Sequence, residues 1–220
     1  MGDNVHAGHR DRLKAQFLQN GLQSFTPYQM LELMLFYAIP RRDTNEIAHR
    51  LLDRFGSLGG VFSADVKELQ KVEGVGRATA NFLRLVPAVA REAMLEELGA
   101  KPVTADTAGS YFFWYLRGAP KSSTAYLLIG KDGMIAGRGI LTEGKRLRRP
   151  VTATLVEEAE AAGCSAVMLA HNHADGRLEP SVDDLDATEK IRFTLSEHGI
   201  GLLAHYIVTS ETAREFMTGN

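Results

Sequence analysis

The feature that most limits what this chain can fold into is a change of hydrophobic period near residue 100. Before it, apolar residues recur at helical spacing, and turn signals separate one helix from the next. Residues 9–20 carry apolar points at Leu13, Phe17 and Leu18, and Gly21 stops the run. Thr26-Pro27 reads as the cap and first residue of a helix over 28–37, which Ile39-Pro40 ends. Thr44 is expected to cap a third helix through Arg54, and Ser63 a short fourth through Lys71. A long helix follows over 77–98 with Pro87 inside it, and residues 99–104 read as a linker. Beyond the linker the pattern mixes strands with helices. Residues 125–129 and 134–141 read as strands joined at Lys131-Asp132-Gly133, since Asp-Gly is a hairpin signal. Two more strands fall at 166–170 and 202–208, with helices at 106–117, 151–162 and 183–198. The expectation is an α/β (α+β) chain in two parts: an all-helical domain over residues 1–98 and a mixed-sheet domain over residues 104–220.

Composition narrows the function classes. At 45% hydrophobic and 24% charged residues, the chain has the balance of a soluble globular protein. No run approaches the roughly 20 apolar residues of a membrane helix, so no membrane partner is expected. The stretch Met1-Gly2-Asp3-Asn4-Val5-His6 lacks the apolar core of a signal peptide. Cys164 is alone, so no internal disulfide forms, and a cytoplasmic location is expected. The net charge is -2, and residues 1–100 hold 12 Lys+Arg against 12 Asp+Glu. Contact with nucleic acid would have to come from a local patch, not from bulk charge.

One segment carries metal chemistry. The apolar run Ala166-Val167-Met168-Leu169-Ala170 leads into His171-Asn172-His173, and Pro180-Ser181-Val182-Asp183-Asp184 follows. On an extended backbone, side chains at i and i+2 point the same way, so the strand aims two imidazoles at one point. Asp184 supplies a carboxylate eleven residues past His173. Zinc accepts such ligands, and three protein ligands leave a fourth position open. Ser181 and Asp184 also fit helix capping, because Ser-x-x-Asp resembles a capping box. The two readings are compatible: the cap fixes where the helix starts, and Asp184 faces the histidines one turn in.

A second segment, Val72-Glu73-Gly74-Val75-Gly76-Arg77-Ala78-Thr79-Ala80, joins two helices through Gly74 and Gly76 and resembles the hairpin of a helix-hairpin-helix module. Glycine allows positive φ and close backbone approach, and the free amides of the next helix can meet a phosphate oxygen. Lys71 and Arg77 flank the turn and could add charge. Such contacts would hold DNA without reading its sequence. The alternative is a packing hairpin that touches no ligand.

The metal segment resembles the His-x-His…Ser-x-x-Asp signature of JAB/MPN metalloprotease-like domains, the JAMM motif. The chain over residues 6–210 is similar to the RadC family, which joins a helical region with a helix-hairpin-helix to a JAB-like domain. Phe36-Tyr37-Ala38-Ile39-Pro40-Arg41-Arg42-Asp43-Thr44-Asn45 and Leu202-Leu203-Ala204-His205-Tyr206-Ile207-Val208 carry that likeness beside the two motifs. The resemblance implies zinc on His171, His173 and Asp184, with Ser181 stabilising an oxyanion. It implies hydrolysis of a peptide or isopeptide bond in a protein or peptide substrate. The family's DNA-repair label implies the other reading, a DNA-associated module working through the hairpin.

The chain departs from the pattern at the general base. The glutamate expected before the first strand falls on Ser122 or Ser123, and a serine is a poor base near neutral pH. Glu143, after the second strand, is the candidate substitute, and Asp175 and Glu179 lie in the ligand loop. The residue before the late histidine is Ala204 where the family has Asp. Metal binding with weak or absent hydrolysis is therefore expected. His205 reads either as a buried hydrogen-bonded histidine or as a group behind the ligands. His6, His9 and His49 read as surface residues.

Overall fold

The computed structural model describes residues 4–117, 119, 122–143 and 149–218, and for residues 4–7, 142–143, 149–151 and 218 the backbone alone. Two compact units emerge, Met1–Ala90 and Arg91–Asn220.

The first unit is helical: α1 (Asn4–Asn20), α2 (Pro27–Ala38), α3 (Asn45–Phe55), α4 (Leu58–Ser63), α5 (Val66–Leu69) and the start of α6 (Arg77–Gly99). Thr26 caps α2 by accepting from the Gln29 amide, and Gln29 closes the capping box, with Pro27 in the first turn. The expected caps at Thr44 and Ser63 need correction. Thr44 holds the N-cap position of α3 but makes no capping bond. The Asp43 carboxylate takes the Asn45 amide at 2.9 Å instead. Ser63 ends α4, and Asp65 caps α5 by accepting from the Lys67 amide at 2.7 Å. Helix α4 escapes sequence reading because Gly59 and Gly60 lower its propensity and only Val61 is buried. Leu31, Leu35, Leu51, Leu69 and Leu83 fill the core of this unit. His9 is more than a surface residue, since its Nε2 lies 3.3 Å from the buried Glu32 carboxylate.

The second unit holds α7 (Ala105–Leu116), β1 (Ser123–Ile129), β2 (Ile135–Glu143), α8 (Arg149–Ala161), β3 (Ala166–Asn172), α9 (Val182–Glu197), β4 (Gly201–Val208) and β5 (Ala213–Thr218). The strand order is β2-β1-β3-β4-β5. All neighbours are antiparallel except β3 and β4, which helix α9 connects as a parallel crossover. Strand alternation sorts the side chains into two layers. Ala125, Leu127, Met168 and Tyr206 pack under Phe112 of α7. Tyr126, Leu169 and Leu202 pack against Leu155 of α8 and Ile191 and Leu195 of α9. The turn after β1 closes as its Asp-Gly signal predicts, with the Gly130 amide bonding the Met134 carbonyl at 2.9 Å. Strand β5 is an addition to the expected elements, because Ala213-Arg214-Glu215-Phe216 offers no run of β-branched residues.

Candidate metal centre

Alternation along β3 decides where the histidines go. Val167 and Leu169 face α9, so His171 faces α9 as well. His173 lies just past the strand end, and its ring meets that of His171 at a centroid distance of 4.8 Å. Helix α9 opens opposite them. Ser181 caps it, accepting from the Asp184 amide at 3.2 Å, while the Ser181 amide donates to Asp184 Oδ2 at 2.8 Å. The Ser181 hydroxyl also donates to Asp184 Oδ2, at 2.6 Å. The capping box thus holds the Asp184 carboxylate against the histidine pair.

His171, His173 and Asp184 each offer a donor atom, and these atoms lie within 4.8 Å of one another. His171 Nε2 is 3.0 Å from His173 Nε2 and 3.5 Å from Asp184 Oδ1, and His173 Nε2 is 3.6 Å from Asp184 Oδ2. Donors bound at about 2.0–2.2 Å to one tetrahedral ion lie roughly 3.3–3.6 Å apart. The two imidazole nitrogens sit closer than that and approach different Asp184 oxygens, so sharing one ion needs small side-chain shifts. Two ring nitrogens 3.0 Å apart beside a carboxylate need a proton or a cation between them. Burial draws the His171 imidazole down to about 4, with Asp184 pulling it up and His173 pushing it further down. Burial opposes the charged form of Asp184, but the Ser181 hydrogen bonds and the two histidines outweigh it and hold its carboxyl below the usual range. A neutral imidazole and an ionised carboxylate are the states that ligate metal.

Behind the trio lie groups that the motif does not name. His171 Nδ1 is 3.0 Å from His205 Nε2, and His205 Nδ1 is 2.8 Å from the hydroxyl of Thr188. His173 Nδ1 is 2.9 Å from the Arg177 carbonyl. Phe216 of β5 packs its ring on both His171 and His205. The late histidine in the sequence is the one signal that pointed to this layer. Burial pushes His205 well below the ordinary imidazole range, with His171 adding to the fall.

The position of the expected base holds hydroxyls. Ser123 begins β1, and its amide donates to the side chain of Asn172 at 2.7 Å. Ser122 precedes it with φ +61°. Glu143 pairs with Ser123 across β1 and β2 by backbone register, while its side chain lies outside the described residues. Asp175 is tied to Arg177 at 2.7 Å.

The hairpin lies in the first unit. Gly74 adopts φ +92°, and a Cβ there would meet Ile47 Cδ1 at 2.7 Å. Gly76 and Arg77 are exposed at the start of α6. Lys71 is not a free charge, because it pairs with Glu68, which also binds Arg54 at 3.1 Å. Glu73 pairs with Arg50 at 3.2 Å.

A mixed sheet with His-x-His at the exit of one strand, answered by a carboxylate at the start of the crossover helix, places the second unit in the class of JAB domains. Residues 104–218 match the RadC-like JAB domain and residues 57–81 the helix-hairpin-helix motif. The chain is 29% identical to a UPF0758 protein of Fusobacterium nucleatum, covering 99% of this chain and 98% of that one. It is 31% identical to a UPF0758 protein of Rhodobacter capsulatus over 89% of this chain and 93% of that one. A UPF0758 protein of Ruegeria pomeroyi is 30% identical over 94% of each chain. The chain belongs to the RadC family.

Proposed function

We propose that the second unit is a zinc-binding JAMM-type domain in which His171, His173 and Asp184 are the ligands, with hydrolysis weak or absent. The observation that carries this reading is the convergence of one donor atom from each of the three residues, all within 4.8 Å of one another. Zinc in such a site supplies Lewis acidity toward an amide or isopeptide carbonyl of a protein or peptide substrate. The chain's own residues limit the chemistry beyond that. Ser181 is the oxyanion candidate, yet its hydrogen is committed to Asp184 Oδ2 and would have to turn outward. Ser122 and Ser123 cannot take a proton from water, and Glu143 is the substitute by position along β2. Metal analysis of purified protein tests the ligand claim. About one zinc per chain is expected in the wild type and none in His171→Ala plus His173→Ala; equal zinc in both would sink it. For activity, wild type is expected to leave an isopeptide-linked substrate intact. Turnover that disappears in Glu143→Gln would instead make Glu143 the base.

The helix-hairpin-helix match supports a second reading, a DNA-associated module. Arg77 and the amides that open α6 are its phosphate contacts, with Gly76 leaving room for the backbone to approach. Binding to duplex DNA at low salt that is lost in Arg77→Glu supports it, and no binding at low salt ends it. The lone Cys164 is what supports a cytoplasmic location, and the division we propose is two domains, residues 1–98 and 104–220.

A further inference from the structure

We infer that Thr188 and His205 are positioning residues that fix the tautomer of His171, so that the nitrogen facing Asp184 carries no hydrogen. This rests on the reading of His171, His173 and Asp184 as metal ligands.

One hydrogen bond in this layer has a fixed direction. Thr188, wholly buried in α9, has its Oγ1 2.6 Å from the backbone carbonyl of Asp184. A carbonyl only accepts, so the single hydroxyl hydrogen goes there. The same oxygen lies 2.8 Å from His205 Nδ1 and can now only accept, so Nδ1 of His205 carries the hydrogen. A neutral imidazole has one N–H, which leaves His205 Nε2 as an acceptor. His171 Nδ1, 3.0 Å away, donates to it. His171 Nε2 is then a bare lone pair, facing Asp184 Oδ1 at 3.5 Å. His173 Nδ1 donates to the Arg177 carbonyl at 2.9 Å, and with no metal bound the hydrogen required between the two Nε2 atoms, 3.0 Å apart, sits on His173.

The relay therefore runs from one proposed ligand, through β4 and α9, to the backbone of another. His205 is 2% exposed and Thr188 0%, and Phe216 lies with its ring centroid 4.7 Å from that of His205. Water cannot replace a lost link there. Groups placed like this behind metal-bound histidines orient the ring and set its tautomer.

The test uses full-length, metal-free protein with nitrogen-15 histidine. Long-range proton–nitrogen correlation spectra should show His171 and His205 as Nδ1–H tautomers. Thr188→Val keeps the side-chain shape but removes the acceptor. His205 should switch to Nε2–H, and His171 with it. Zinc affinity, read by chelator competition, should fall roughly 10- to 100-fold. Thr188→Ser keeps the hydroxyl and should restore both tautomers and affinity. A wild-type His171 in the Nε2–H form overturns the proposal whatever the variants do. So does a folded Thr188→Val protein with unchanged tautomers and affinity. If the tautomers switch as described but no form of the protein binds zinc, the relay stands and the metal reading falls.

Discussion

Burial of His171 ties the metal-free protein to pH. The folded imidazole titrates at about 4 against an ordinary 6.5, so between those values the unfolded chain binds a proton that the folded chain refuses. Stability then rises with pH across that window. The His171 contribution is intact above pH 6.5 and is lost progressively down to pH 4, roughly 3 kcal/mol in all at about 1.4 kcal/mol per unit. His205 acts with the same sign. Urea midpoints of zinc-free protein at pH 7.5 and 4.5 check this, and equal midpoints would contradict a buried neutral His171. A second residue-scale prediction concerns Ser122, held at φ +61°. Ser122→Gly should raise stability by about 1 kcal/mol, read by thermal melting, because left-handed backbone costs other residues that much. The two histidines and Asp184 are legible in the sequence because strand alternation and one helical turn bring them together. Thr188 is not legible. Nothing in Leu185-Asp186-Ala187-Thr188 marks a relay, and its meaning appears only once β4 sets His205 beside α9.

At the scale of elements, the hairpin depends on packing as well as on backbone freedom. Gly74→Ala puts a methyl against Ile47 of α3 at a positive φ, and should cost about 1–3 kcal/mol by denaturant unfolding. A loss of DNA binding in any Gly74 variant would therefore be confounded with a damaged core, whereas Arg77 is exposed and its substitution is not. The order and type of the long helices are readable because caps and apolar period agree, as at Thr26-Pro27 in α2. The failures fall where local signals conflict. Helix α4 is built over two glycines and β5 over an adjacent Arg214-Glu215 pair, and each is held by tertiary contacts that no short window of sequence contains. Phe216 matters here: it gives β5 a reason to exist, covering the paired imidazoles.

For the whole molecule, balanced charge sets the terms of any DNA contact. With a net charge of -2, binding must rest on a few phosphates at the hairpin, so the slope of log affinity against log salt should be shallow. A steep slope, above about five ions released, would require a surface other than this hairpin. The crossover between β3 and β4 divides the proposed ligands. His171 and His173 stand on one side of residues 174–180, and Asp184 stands on the other. An ion held by all three is a clasp on the long irregular stretch of that crossover. Occupancy would then be felt as local order, slowing amide exchange across 174–180 while leaving β1 and β2 unchanged. A metal site can matter in this way without any turnover, as a latch that reports metal by stiffening one loop.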